Sequence, residues 1–152
     1  MPQLVKGGKY VFGWSKVGES GRIVIPPEAV EEYGFRDGDK VFIMPGSRSS
    51  GGFGISLPAL LKGTSLSSIL PPELERFQTP RGEIIKSGKR TLCWTVVEKG
   101  GCIVLPVETL KAYGTGPGAL LLSVRGSYLA LGFLVRGPIV EEALQHPELV
   151  RL

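Results

Sequence analysis

Short runs of β-branched and aromatic residues, each closed by glycine or proline, set the rhythm of this chain. Lys9 to Val17 alternates weakly and is rich in Tyr, Val, Phe and Trp, which predicts a strand. Gly18-Glu19-Ser20-Gly21 reads as a turn and Arg22 to Ile25 as the returning strand. Pro26 ends the pairing because it has no N–H to donate. Pro27 suits the first turn of a short helix, with Glu28 at its positive end and Gly34 where a C-terminal glycine cap belongs. Phe35 to Asp39 is a second turn, Lys40 to Met44 a strand, Pro45 to Gly51 a loop and Gly52 to Leu57 a fourth strand.

This pattern returns 80 residues later. Laid over 84–138 without a gap, residues 4–58 match at 18 of 55 positions, among them Gly21/Gly101, Ile23/Ile103, Val24/Val104 and Pro26/Pro106. A third of positions matching ungapped is a poor fit to chance and reads as a tandem duplication. The second copy predicts a hairpin from Ala119 to Val124 and Tyr128 to Val135 around Arg125-Gly126-Ser127. Pro72-Glu73-Leu74-Glu75-Arg76-Phe77 also echoes Pro147-Glu148-Leu149-Val150-Arg151-Leu152, so each copy closes on a similar segment. The plan is hairpin, short helix, hairpin, made twice. Repeat one with its linker spans 1–80 and repeat two spans 81–152, the two forming one interleaved domain. A unit of about 50 residues with so little helix buries too little apolar surface to stand alone, so each copy needs another.

Composition narrows the classes. Hydrophobic residues at 42% and charged ones at 21% describe a globular chain rather than a disordered one. A net charge of +4 and a pI near 9.2 suit a polyanion partner without requiring one. No apolar run reaches the roughly 18 residues of a membrane span, and Met1 to Lys9 lacks the apolar core of a secretion signal. Cys93 and Cys102 read as two half-buried thiols on the arms of one hairpin, at home in a reducing cytoplasm. With the single His146 they cannot build a structural zinc site. The expectation is a cytoplasmic protein with no metal and no cofactor.

The stretch Lys16-Val17-Gly18-Glu19-Ser20-Gly21-Arg22-Ile23-Val24-Ile25-Pro26-Pro27-Glu28, followed by Tyr33-Gly34-Phe35 and Asp37-Gly38-Asp39, resembles the AbrB/MazE/SpoVT swapped-hairpin family. The resemblance covers residues 9–57 and, through the repeat, 89–135. It implies a mainly β fold with short helices: a tandem swapped-hairpin, AbrB-like β-barrel whose two repeats form an intramolecular pseudo-dimer. A dimer of whole chains, each repeat pairing with its equivalent, is the alternative assembly. Members are commonly DNA-binding transcription factors, so the implied partner is duplex DNA, with self-association or a protein partner besides.

Carried over by position, the family's DNA contacts fall on Lys16 and Arg22. Arginine bonds a guanine edge bidentately and lysine neutralises phosphate, so the chemistry suits the role. A basic pair often found on the family's helix falls here on Glu31 and Glu32. In the second copy the four sites are Val96, Cys102, Lys111 and Ala112. Separately, basic residues recur as Lys6 and Lys9 in one copy and Lys86, Lys89 and Arg90 in the other, arms that a pseudo-twofold axis would present symmetrically to a duplex. The same charges on exposed strands also discourage edge-to-edge aggregation.

The repeated pairs Trp14/Trp94, Tyr33/Tyr113 and Phe53/Phe133 are assigned to the core. The lone His146 is distant in sequence from either cysteine, and no nucleophile–base pair suggests an enzyme. The expected function is DNA-binding transcriptional regulation. The alternative is a swapped-hairpin protein-interaction or ligand-sensing module that has lost DNA binding, with Ile55 to Leu61 and Ile139-Val140 as contact surface, although core packing is the plainer reading of those residues. An antitoxin role is discounted, because the acidic tail expected of one is here the short segment Glu141 to Leu152.

Overall fold

The computed structural model describes residues 10–126 and 129–152. Its first half runs β1 (Val11–Lys16), β2 (Arg22–Val24), α1 (Pro27–Tyr33), β3 (Lys40–Pro45), β4 (Phe53–Ser56), α2 (Pro58–Leu61), a 3-10 turn (Ser65–Ile69) and α3 (Pro72–Glu75). The second half runs β5 (Ile85–Ser87), β6 (Arg90–Val96), β7 (Cys102–Val104), α4 (Val107–Ala112), β8 (Leu120–Arg125), β9 (Leu131–Leu134) and α5 (Pro138–Ala143). The protein is thus mainly β with short helices, as the residue pattern predicts. Ser127 and Tyr128 of the predicted last hairpin lie outside the described residues. Local chemistry bounds α1 as expected: a proline opens it, and Gly34 closes it at φ 73°, its N–H donating to Val30 O at 3.0 Å.

Strands pair across the two halves of the chain. β1 pairs with β8, β2 with β7, β3 with β6 and β4 with β9, all antiparallel. The hairpins β3–β4, β8–β9 and β5–β6 join these into a seven-stranded sheet in the order β1-β8-β9-β4-β3-β6-β5, with β2–β7 as a separate two-stranded ribbon. Residues 80 apart in sequence meet directly: Ile23 lies opposite Ile103, and Phe53 opposite Phe133 with ring centroids 5.2 Å apart.

The expected closed barrel is corrected to an open sheet. β2 and β7 would close a cylinder only along the free edges of β1 and β6, and both edges are taken. Beside β1, the Trp14 and Lys16 N–H groups donate to Val150 O and Leu152 O at 2.7 and 2.9 Å. Beside β6 lies β5, and further along the Gly82 N–H donates to Trp94 O at 2.7 Å. Side chains tie the ribbon to the sheet instead: Ser15 Oγ donates to Val24 O and Thr95 Oγ1 to Val104 O, at 2.6 and 3.3 Å.

Side chains of the sheet alternate between two faces. One face carries Ile43, Phe53, Ile55, Leu131 and Phe133, packed beneath ribbon residues Ile23 and Ile103 and helix residues Ala29, Tyr33, Leu110 and Tyr113. The other carries two smaller clusters. Val11, Trp14, Leu122 and Val124 pack with Val140, Ala143 and Leu149, while Phe42, Met44 and Leu92 pack with Leu61, Leu70 and Leu74. Each fully buried aliphatic or aromatic side chain adds about 1.5–3 kcal/mol of driving force. Ile55, Leu61 and Val140, a contact surface only under the alternative reading and core residues under the plainer one, are buried in these cores. Trp14 is buried, and the Trp94 indole N–H donates to Thr79 O at 2.8 Å, so both tryptophans are packing residues.

Candidate nucleic-acid interface

The β2–β7 ribbon is short, and its alternation decides what it shows. Ile23 and Ile103 point inward and are fully buried. Arg22, Val24, Cys102 and Val104 therefore point outward, and of these Arg22 is exposed. The Arg22 Nε–H donates to Cys102 Sγ at 3.3 Å, and the thiol in turn donates to Lys99 O at 3.8 Å. The arginine thus lies across the ribbon over Cys102, the residue 80 positions further along the chain. Cys102 is 3% exposed and Cys93 fully buried, both free thiols, so the half-buried expectation is corrected to burial. Burial pushes the Cys93 thiol up to about 12.

Lys16 ends β1 with its side chain exposed, one turn before Arg22 in the chain. Lys86, Lys89 and Arg90 are exposed at the tip of the β5–β6 hairpin, where Gly88 turns at φ 61° and Ser87 pairs with Arg90. Four strands stand between β1 and β6 in the sheet order, so Lys16 and Arg22 form one basic group and the β5–β6 residues another. Lys6 and Lys9 lie outside the described residues.

Each turn of the ribbon packs against the helix of the other half. A Cβ placed on Gly21 would stand 3.5 Å from Leu110 Cδ1 of α4, and one on Gly101 would stand 3.2 Å from Val30 Cγ2 of α1. The helix beside the Gly18–Gly21 turn therefore carries exposed Glu108 and Lys111, not the Glu31–Glu32 pair. Glu31 lies at the other turn, in a cavity of about 440 Å³ that it lines with Asp37, Val30, Gly100 and Gly101. Glu32 is drawn away by Arg125: Nε donates to Oε2 at 2.6 Å and Nη2 donates to Oε1. That bonding holds the Glu32 carboxyl below its ordinary range and raises the Arg125 guanidinium. Arg125 also stacks over Tyr10, its Cζ 4.6 Å from the ring centroid, and the Tyr10 hydroxyl donates to Glu28. On the second turn Glu98 pairs with Arg81 at 3.1 Å. Each end of the ribbon carries both signs: Lys16 and Lys111 stand with exposed Glu19 and Glu108 at one turn, and Glu31 and Asp37 stand with exposed Lys99 at the other.

Residues 15–47 match the family model described as antidote-toxin recognition MazE, bacterial antitoxin. The matched span runs from the end of β1 through β2, α1 and β3, so it contains Lys16 and Arg22 and supports an AbrB/MazE-like relationship for this part of the chain. No curated protein matches the chain. The solution structure of PHS018 from Pyrococcus horikoshii is similar at 18% identity with a TM-score of 0.38, covering 84% of this chain and 98% of that one.

Two features escape a reading by repeat position. Which helix lies beside which turn is a matter of three-dimensional exchange, and the Glu32–Arg125 pair joins residues 93 apart. Among the described residues no group of His, Cys, Asp or Glu is arranged to hold a metal ion, and no helix is long and apolar enough to cross a membrane.

Proposed function

We propose that this chain is a cytoplasmic, non-enzymatic DNA-binding regulator of the AbrB/MazE-like type. Its two halves act as the two members of a pseudo-dimer within one chain, and the β2–β7 ribbon is the surface that meets the duplex. The observation that carries the reading is the exposed Lys16–Arg22 pair within the span that matches the MazE family. The major groove admits a two-stranded β-ribbon, and Arg22 on its outward face is suited to a guanine edge. Lys16 and Lys111 on the flanks are suited to phosphates. Lys86, Lys89 and Arg90 on the far edge contribute long-range attraction.

Because Cys102 stands where a second arginine would, base reading is one-sided and the preferred site is an imperfect palindrome at most. With two or three phosphate contacts, log affinity should fall with log salt at a slope of about −2 to −3. The test is fluorescence anisotropy on mixed-sequence and genomic duplexes between 50 and 200 mM salt, on the natural chain and the double variant Lys16→Glu, Arg22→Glu, with roughly this range chosen because it resolves counterion release. Salt-dependent binding, lost in the variant while its circular dichroism is unchanged, supports the reading. Absence of binding, or binding indifferent to salt and to the variant, overturns it.

A second reading is a protein contact at the Gly100–Gly101 turn, where Glu31 and Asp37 border a cavity with Val30 and Phe35 in its lining. That surface suits a basic partner segment. Co-purification of a basic protein that Glu31→Lys releases would favour it.

A further inference from the structure

The two satellite clusters cover the outer face of the sheet only at its sides. One, built on α5 and Leu149, lies over β1 and β8. The other, built on α2, the 3-10 turn and α3, lies over β3 and β6. Between them a groove of about 390 Å³ crosses the middle of the sheet. Its floor is one row of directly paired residues, Met44, Gly54, Gly132 and Val124. The two central members are glycines, so the groove exists because no side chain rises from β4 or β9 there.

Gly54 is not needed for the backbone. It has no positive φ, and a Cβ placed on it would meet only ordinary contacts, Leu131 O at 3.5 Å and Ala130 Cβ at 3.6 Å. The position 80 residues on is Leu134, so the same site in the other copy carries a large side chain. The rim is polar on one side. Arg90 lines it, with the hydroxyl-bearing Ser47 and Ser50 of the β3–β4 loop nearby in the lining. Arg90 is the only charged residue in that lining among the described residues, and Lys86 and Lys89 share its hairpin tip.

We propose that this groove binds a small amphipathic organic anion, its apolar body on the Gly54–Gly132 floor and its acid group on Arg90. The volume falls within the range of small-molecule sites, and an apolar floor with one convergent cation is the chemistry that selects an aliphatic or aromatic acid over its neutral analogue. The site lies on the face of the sheet opposite the ribbon and shares only Arg90 with the DNA reading. It also gives Arg90 a role that the symmetric-arm idea does not.

The probe is 1-anilinonaphthalene-8-sulfonate fluorescence on the full chain, with decanoate and decan-1-ol as competitors. Saturable displacement by decanoate is expected below about 1 mM, with decan-1-ol weaker by about ten-fold or more. Gly54→Leu, which places in the groove what the other copy already carries, should abolish the site while circular dichroism is unchanged. Arg90→Gln, an exposed change that leaves the core intact, should weaken decanoate by about ten-fold and leave decan-1-ol unaltered. The proposal is overturned if decanoate and decan-1-ol compete equally in the natural chain, or if no saturable site is found. It is equally overturned if decanoate binds folded Gly54→Leu or Arg90→Gln with undiminished affinity.

Discussion

Gly21 and Gly34 both sit at positive φ, 84° and 73°, and replacing each by alanine separates two costs that are usually confounded. At Gly34 a Cβ meets nothing within 4 Å, so the penalty is the left-handed backbone alone, about 1 kcal/mol. At Gly21 the same Cβ would lie 2.0 Å from Leu105 O and 3.1 Å from its carbonyl carbon. The ribbon must therefore separate there, and the bond from Leu105 N–H to Gly21 O, now 3.1 Å, goes with it. Adding a hydrogen bond of about 1 kcal/mol and the displacement of buried Leu105 and Leu110 at about 1–3 kcal/mol brings the total for Gly21→Ala to about 3–5 kcal/mol. For a chain of this length each kcal/mol moves Tm by about 2–4 °C, so the expected losses are above about 6 °C for Gly21→Ala and about 2–4 °C for Gly34→Ala. Urea and thermal unfolding followed by far-ultraviolet circular dichroism measure both. Equal losses in the two variants would refute the crossing of Gly21 against Leu105 as the cause.

Two further outcomes follow from ionisation. Glu32 has its folded pKa lowered from 4.5 by Arg125, so the pair stabilises above that value and its contribution is lost as pH falls through the folded pKa. With both side chains over a third exposed, the gap between the natural chain and Glu32→Gln should be only about 0.5–1 kcal/mol at neutral pH and should narrow as pH falls from about 4.5 through the lower folded pKa, and a pH-independent gap in urea midpoints would contradict this. Cys93, with its thiol pushed up to about 12, holds roughly one part in ten thousand as thiolate at pH 8. Mass mapping after thiol labelling should find it unmodified in the native protein and labelled in urea; rapid native labelling would show that the site is open.

Much of the architecture was legible because it is written in local chemistry. Pro26, Pro27 and Gly34 bound a strand and a helix by backbone rules that need no tertiary context. The assignment of Trp14 and Trp94 to packing rests on the same economy: two equivalent aromatics in a repeated strand are most simply two equivalent core positions. Barrel closure was not legible, because it depends on whether β1 and β6 keep a free edge. That edge is filled by Val150 and Leu152 on one side and by β5 and Gly82 on the other, segments whose own patterns are too short to declare a pairing. The groove was hidden for a related reason. A glycine in a strand signals a bulge or a close approach, and only the placement of the two side clusters turns Gly54 and Gly132 into a floor.

Exchange of elements between the halves also changes how the acidic helix should be weighed. Compared position by position, Glu31 and Glu32 occupy sites where basic residues would favour phosphate, and they belong to the same unit as Arg22. In space α1 packs at the Gly101 turn and α4 at the Gly21 turn, so the carboxylates travel with the hairpin that carries Cys102. Glu32 is further committed to Arg125. Lys16 and Lys111 therefore share the Gly21 end of the ribbon with exposed Glu19 and Glu108, while Glu31 and Asp37 share the opposite end with exposed Lys99. The two halves thus place different charged residues at the two ends of a ribbon whose strands pair about Ile23 and Ile103. Such a surface favours one orientation on any partner it binds, an asymmetry that two identical copies related by a twofold axis could not provide.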